Sequence, residues 1–497
     1  MAGEFDVIVL GAGPTGENAA DRAVRGGLTA AIVESELVGG ECSYWACMPS
    51  KAMLRPVAAV AEADHLRGVA GARLAPAHVL ARRDSFASDW KDDGQVKWLD
   101  GAGIELFRGQ ARIAGERRVK VGDTELTARH AVVICTGTRA VVPDSLDGLN
   151  PWTSREATSA HAAPGRLAIV GGGVVGCEMA AAWQALGTCV TLLSRGRLLD
   201  RLPPFAGDLV ARGLRAAGVD VRLGACVTHA IRAKDKSASG WTAGHASGRM
   251  TSHASGRMAS RTREDAPDLP DAEPTGPLLL TLDDGSTVAA DELLAATGRA
   301  PRTEDIGLES VGLKPGSWLD VDDTMRVRAV DGGWLYAAGD VNHLALLTHM
   351  GKYQARICGD AIAARARGQE PSVTDRSSVT CVPQVVFTQP EVAAVGLTAE
   401  QAEARGSNVR VVEYEIGNVA GASLFADGYT GHAQAVIDDN SKKLLGMTLV
   451  GPGVGEIIHA ATIAIAGEVT LDRLWHAVPS YPTISEVWLR LLEAYGL

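Results

Sequence analysis

FDVIVLGAGPTG, residues 5–16, is a short apolar run that ends in a glycine-rich turn. Its apolar residues are successive rather than alternating, as in a strand of a parallel sheet buried on both faces. An Ala-rich stretch of helical character follows, and then TAAIVE at 29–34 reads as a second strand. In such a strand–turn–helix unit, Gly11 permits the tight turn and Gly13 lets the backbone approach a pyrophosphate. Gly16 lets the helix pack closely on the strand. The acidic Glu34 ends the second strand 18 residues after Gly16, where a carboxylate can accept hydrogen bonds from ribose hydroxyls. The helix N-terminus favours the phosphate charge. These features together read as a dinucleotide site.

The same pattern recurs at 167–195 as LAIV, GGGVVG, a helical stretch and TCVTLLSR. Gly171, Gly173 and Gly176 repeat the three glycines, and the spacing used above lands on Ser194. No acid stands there to bond a ribose 2′-hydroxyl. Ser194, Arg195 and Arg197 offer instead a hydroxyl and two guanidinium groups suited to a 2′-phosphate. NADPH is therefore favoured over NADH.

At 497 residues the chain has room for about three domains. Its 46% hydrophobic and 22% charged content excludes a mostly disordered chain. The net charge of −11 opposes a nucleic-acid partner. No run of 18 apolar residues is present, so we expect no membrane span. The N-terminus enters a strand at once, without a basic segment or cleavage site, and a cytoplasmic protein is expected.

Residues 233–277 break the pattern. HASGRM occurs there twice, at 245–250 and 253–258, before a Pro/Asp/Glu-rich run. This reads as a low-complexity, disordered insertion. LLLTLDDGSTV at 278–288 reads as a hairpin with a DG turn. Further strands are expected at AVVICTG (131–137), LLAATGRAP (293–301) and LYAAGD (335–340). After Ser372, short strands mix with helical stretches at 455–467 and 484–495, which reads as a separate α+β domain.

Of the eight cysteines, six are isolated and are expected to be buried as small apolar residues. Cys42 and Cys47 lie in GGECSYWACMPSK, residues 39–51. On an ideal helix, residues five apart have Cα atoms ~8–9 Å apart, whereas a disulfide wants ~4.4–6.8 Å. A bridge here must distort or precede the first helical turn. It would be easily reduced, and a helix N-terminus would favour the thiolate.

GAGPTG, GGECSYWACMPSK, ICTGT, GGGVVGCE, ATGRAP, AAGD and the C-terminal YPTISE come in an order that resembles the class I pyridine nucleotide–disulfide oxidoreductases. That group includes dihydrolipoyl dehydrogenase, glutathione reductase and mercuric reductase. The resemblance implies an α/β fold with two Rossmann-like domains, for FAD and NADPH, and a C-terminal α+β dimerisation domain. Its boundaries would be 1–150 and 298–371 for FAD, 151–297 for NAD(P)H and 372–497 for the interface of a homodimer. It implies a redox-active disulfide in which Cys42 is the interchange thiol and Cys47 the charge-transfer thiol beside the flavin. Lys51 would lie by the flavin and pair with Glu178. Gly40, Thr136, Gly137, Arg299, Asp340 and Thr348 match positions that hold FAD, and Gly298 one that holds NADPH. No metal site is assigned.

The C-terminal motif departs from that pattern. Thiol-substrate reductases of the group carry His-Pro-x-x-x-Glu, the His serving the partner subunit's interchange thiol. Here Tyr481 takes the His position and Glu486 keeps the Glu. An unperturbed Tyr titrates near ~10 and His near ~6.5, so Tyr481, oriented by Glu486, is a proton donor rather than a base. His476 lies five residues upstream as a possible substitute. No cysteine follows Cys381, so a C-terminal pair for mercury delivery is missing. Tyr44, Trp45 and Glu41 also depart from the family's loop. The two aromatics either pack the loop or face an aromatic substrate. The expected activity is reduction of a small-molecule acceptor, a disulfide in the dihydrolipoyl-dehydrogenase manner. The alternatives are a quinone or other electron acceptor that bypasses the disulfide, and a flavin-binding redox sensor with little turnover.

Overall fold

A computed structural model describes residues 2–233 and 276–497. The expected insertion at 233–277 falls almost wholly outside the described residues.

Strand β1 (Ala2–Leu10) runs into α1 (Pro14–Arg25) and β2 (Ala30–Glu34). Val7, Ile8, Val9 and Leu10 are fully buried, as successive apolar residues in a sheet covered on both faces must be. Pro14 opens α1, where its fixed φ suits a first helical turn. The buried face of α1 is made of Gly16, Ala19, Ala20 and Ala23. A short helix α2 (Gly40–Tyr44) and the 18-residue helix α3 (Cys47–Asp64) follow.

Strands β3 (Ile104–Arg108), β4 (Ala111–Ile113), β5 (Arg118–Val121) and β6 (Thr124–Ile134) complete the first segment. The sheet order is β3-β2-β1-β6-β5-β4. The end of β6 also pairs in parallel with Leu335–Ala337, register Leu335 to Val132. The nucleotide-binding sheet is thus assembled from two stretches separated in sequence by a second sheet.

That second sheet is parallel and comprises Arg166–Val170, Cys189–Ser194, Asp220–Leu223 and Glu292–Ala295. Leu278–Leu282 and Thr287–Ala290 form the expected antiparallel hairpin, with Gly285 at φ +82° in its turn. The C-terminal part is a five-stranded antiparallel sheet with helices Val454–Ala466 and Val487–Tyr495. No helix among the described residues is long and apolar enough to cross a membrane.

Helix α1 packs in parallel against the helix Thr348–Ala366 through its glycines. A Cβ on Gly351 would lie 2.3 Å from Thr15 Oγ1, and one on Gly359 would lie 2.5 Å from the Arg22 side chain. This contact brings the N-terminal ends of both helices to the C-terminal ends of β1, β2 and β6, where ligands bind in open α/β sheets.

Candidate active site

A cavity of about 660 Å³ opens at those strand ends. Its wall includes Gly11, Gly13, Glu34, Gly40, Cys42, Thr136, Gly137, Arg299, Asp340 and Thr348. A Cβ on Gly11 would meet the Cys135 carbonyl at 2.6 Å, one on Gly16 the Gly11 carbonyl at 1.9 Å, and one on Gly40 the Gly13 Cα at 2.8 Å. Only glycine fits these places, and the bare backbone leaves room for a ligand. Thr136 Oγ1 is buried without a hydrogen-bond partner. A buried polar atom left free in a cavity wall is a place for a ligand. Glu34 Oε2 accepts from Ala12 N at 2.8 Å and Oε1 from Glu36 N at 2.8 Å, which ties the glycine turn to the strand end. The glycine cradle, the free hydroxyl and the placed acid fit FAD.

The rim carries a charge cluster that sequence reading did not assemble. Glu41 accepts from Arg299 Nη2 at 2.6 Å, Arg302 Nη2 at 2.6 Å and Arg155 Nε at 3.1 Å. Arg155 also pairs with Glu36. Burial works against the charge of Glu41, but the guanidiniums of Arg299, Arg302 and Arg155 outweigh it and hold the carboxyl below its usual range. These three guanidiniums and two carboxylates all line the same cavity. Arg299 Nε also donates to Thr138 Oγ1 (2.6 Å), which in turn donates to Asp340 Oδ2 (2.8 Å). Burial pushes the Asp340 carboxyl up. The signals available in sequence were the unusual Glu41 and the two arginines of RAPR at 299–302.

Cys42 sits in α2 and Cys47 is the first residue of α3. Between them Trp45 (φ −137°, ψ 7°) and Ala46 (φ −138°, ψ −98°) leave helical geometry. That break removes the obstacle that one continuous helix would place between the two sulfurs. Both residues are thiols here, and they hydrogen-bond to each other. The bond from Cys42 lowers the Cys47 thiol to about 6; burial opposes this, while Thr348 and Lys51 assist. Thr348 does so through its side chain, with Oγ1 3.3 Å from Cys47 Sγ. The hydrogen bond to Cys47 and burial push the Cys42 thiol up.

Lys51 Nζ lies 2.7 Å from Glu178 Oε2, bridging α3 and the helix Val174–Ala185. The Glu178 side chain is 4% exposed, and its other oxygen accepts from Phe387 N at 3.0 Å. Phe387 also stands under Lys51, with its ring centroid 5.1 Å from Nζ. Phe387 carries no local sequence signal.

Tyr44 is buried and its hydroxyl donates to Val38 O at 2.9 Å. Trp45 lies under Arg155, with the guanidinium carbon 4.1 Å from its ring centroid. Of the two readings left open for these aromatics, packing of the loop is the one observed.

At the second fingerprint the cradle repeats. Gly171 has φ +124°, and a Cβ on Gly176 would lie 1.9 Å from the Gly171 carbonyl. Gly173 and Gly298 are open to their surroundings. Ser194 is buried against Gly172, while Arg195 and Arg197 are exposed and make no ion pair among the described residues. Of the isolated cysteines, Cys135, Cys177, Cys358 and Cys381 are buried. Cys189 is exposed and Cys226 half-buried, against expectation: each opens or precedes a strand at a loop, where the sheet does not cover it.

The C-terminal motif is split within one chain. Tyr481 is 77% exposed, and no hydrogen bond joins it to Glu486. Glu486 Oε1 instead accepts from Arg490 Nη2 at 2.6 Å, one helical turn on, and its Oε2 is buried without a partner. Val478, two residues beyond His476, is 84% exposed, and His476 itself is exposed.

The pyridine nucleotide-disulphide oxidoreductase profile matches residues 5–252 and 257–368, and the family's dimerisation-domain profile matches 382–491. The chain belongs to the pyridine nucleotide-disulphide oxidoreductases. A dihydrolipoyl dehydrogenase of Thermus scotoductus is 32% identical over 99% of this chain and 97% of its own length. A mercuric reductase of Staphylococcus aureus is 28% identical over 97% of this chain and 81% of its own. The fold is shared with the flavoprotein disulfide reductase RclA of Escherichia coli, with a TM-score of 0.77 at 21% identity over 99% of both chains. This oxidoreductase is accordingly an FAD-dependent enzyme that takes electrons from NAD(P)H, and Cys42 and Cys47 lie close enough to be its redox-active pair.

Proposed function

We propose that this oxidoreductase uses NADPH to reduce a small disulfide acceptor through Cys42, with Cys47 as the thiol facing the flavin. The observation that carries this reading is the asymmetry of the pair. The hydrogen bond from Cys42, assisted by Thr348 and Lys51, lowers the Cys47 thiol, whereas that same bond and burial push the Cys42 thiol up. FAD held in this cavity would supply the two-electron transfer that links the nicotinamide to the 42–47 disulfide.

Gly11, Gly13, Gly16 and Gly40 form the cradle for FAD, with Glu34, Thr136, Gly137, Arg299, Asp340 and Thr348 around it. Gly171, Gly173, Gly176, Ser194, Arg195, Arg197 and Gly298 do the same for NADPH. Lys51 is fixed by Glu178 so that its ammonium stays near the Cys47 sulfur. Removing one member of this half-buried pair leaves an unpaired buried charge, at a cost of about 3–5 kcal/mol. Cys42 as thiolate attacks one sulfur of the acceptor, whose S–S bond breaks and whose second sulfur leaves as a thiolate and is protonated. Cys47 then attacks Cys42, the mixed disulfide breaks, and the 42–47 disulfide forms as the second acceptor thiol leaves. Tyr481 of a partner subunit would reach this face as a proton donor. Its exposure in a single chain and the dimerisation domain around it support that placement.

Thiols of the type of Cys47 ionise with rising pH. With a value near 6, the thiolate is present above that pH and is lost below it. Titration of the two-electron-reduced protein should therefore bleach the thiolate–flavin absorbance as the pH falls through about 6, and a band that persists to pH 4 would contradict the assignment. The acceptor itself is tested by NADPH oxidation against lipoamide, glutathione disulfide, quinones and Hg(II). Turnover with a disulfide above that with quinones supports the reading, and turnover with quinones alone contradicts it.

A further inference from the structure

Between Cys42 and Cys47 the backbone leaves helical geometry at Trp45 and Ala46. Pro49 stands four residues after Trp45 and has no N–H, so no helix running through this stretch could give the Trp45 carbonyl its partner. Tyr44 is the last residue of α2, and its carbonyl is among those that a helix end leaves free. Both carbonyls are met by side chains from outside the motif. Trp90 Nε1 donates to Tyr44 O at 3.2 Å. Thr158 Oγ1 lies 2.9 Å from Trp45 O, and shares its one proton between that carbonyl and its own helix, where Ser154 O is also at 2.9 Å. Arg155 adds a third contact: its guanidinium covers the Trp45 ring and its Nε donates to Glu41, the residue before Cys42.

Both props meet at one buried arginine. Arg83, in the helix Pro76–Phe86, has a fully buried side chain. Its Nη1 donates to Thr158 O and Ala160 O, each at 2.9 Å, which fixes the end of the helix Ser154–Ser159 that carries Thr158. Its guanidinium carbon stands 5.4 Å from the centre of the Trp90 ring, and Asp84 supplies the counter-charge at 2.6 Å. Burying a guanidinium costs desolvation, and no step of the proposed reaction uses this one. The turn that delivers Trp90 is strained as well. Ser88, Asp89 and Trp90 have φ of 52°, 50° and 53°, in the left-handed region that residues other than glycine rarely enter. Such strain persists where the surroundings over-determine it, and it collects at functional sites.

We propose that Trp90 and Thr158, braced by Arg83, are positioning residues for the redox pair: they hold the break at 44–46 in one conformation and thereby set how readily the Cys42–Cys47 disulfide is reduced. The proposal rests on the 42–47 pair being redox-active and is independent of the acceptor. In the step concerned the S–S bond breaks as two electrons and two protons arrive, leaving one thiol at each residue. The disulfide is itself a crosslink on this loop, so the props restrict it little further. The dithiol has no crosslink, and the props restrict it most. Removing a prop therefore frees the dithiol more than the disulfide, and the disulfide becomes easier to reduce.

The test is a redox titration of the FAD-loaded protein in anaerobic glutathione and dithiothreitol buffers, which supply or accept the two electrons and two protons. The fraction of 42–47 disulfide is read by acid quenching, alkylation and peptide mass. Thr158→Val and Trp90→Phe should each shift the equilibrium toward the dithiol by about tenfold, or about 30 mV for a two-electron couple. Thr158→Ser keeps the hydroxyl and should titrate with the wild type. A wild-type midpoint in Thr158→Val or Trp90→Phe, even with a lowered Tm, marks a structural role only and overturns the proposal. So does a shift toward the disulfide, or a Thr158→Ser shift as large as that of Thr158→Val. Should Trp90→Phe fail to retain FAD, Thr158→Val against Thr158→Ser decides alone. A wild-type protein that forms no 42–47 disulfide at any poise would overturn the functional reading itself, whereas one that forms it with the same midpoint in every variant overturns the brace alone.

Discussion

The two dinucleotide fingerprints share one backbone and differ at one strand end. In both, the third glycine approaches the carbonyl of the first so closely that a Cβ would lie 1.9 Å from it. The cradle is therefore a matter of backbone geometry, which the GxGxxG spacing encodes fully. At the first site the strand ends in Glu34, whose carboxylate accepts from two backbone amides in the wall of the cavity. At the second it ends in Ser194, buried against Gly172, and the charge has moved to the exposed Arg195 and Arg197. The two strand ends thus carry different groups on the same scaffold, an acid at one and a hydroxyl with two arginines at the other.

Substitution at the shared glycines carries the largest expected effect. Gly16→Val and Gly176→Val each drive a side chain into backbone rather than into a movable neighbour, at a cost of about 3 kcal/mol or more. Gly16→Val should yield apoprotein, read by flavin absorbance. Gly176→Val should retain FAD and lose coenzyme binding, read by fluorescence titration. Loss of FAD from Gly176→Val would show that the two cradles are not independent. Next in size is Ser194→Glu, which copies the first site's acid onto the second. One charged hydrogen bond to a 2′-hydroxyl contributes about 1.5–3 kcal/mol, so kcat/KM should move toward NADH by roughly 10- to 100-fold. Smaller is the effect of Arg195→Ala or Arg197→Ala. Each should raise the KM for NADPH by about tenfold and leave that for NADH in place. Because both arginines are exposed, added salt should erode this difference.

Local pattern accounts for what could be read in advance. The two sheets, the hairpin at 278–290 and the C-terminal α+β part follow from apolar runs and glycine turns, whereas the split of the nucleotide-binding sheet was implied by the family resemblance. The Lys51–Glu178 pair came from motif order, since 127 residues separate its members. Contacts that carry no motif were not legible. Glu41 is held by arginines 114, 258 and 261 residues away, and Thr348 reaches Cys47 across 301. Such pairs depend on how elements pack, and a residue type alone does not announce its distant partner. The C-terminal motif shows the converse. The family resemblance placed Tyr481 on Glu486, yet within one chain Arg490 takes the carboxylate from one helical turn away.

Cys42 is the proposed exit for electrons to the acceptor. The most direct test is steady-state NADPH oxidation by FAD-loaded Cys42→Ser with a disulfide acceptor, alongside rapid-mixing reduction of the flavin in the same protein. The account predicts that flavin reduction by NADPH persists while disulfide turnover falls to the uncatalysed background. Undiminished disulfide turnover in Cys42→Ser would contradict it.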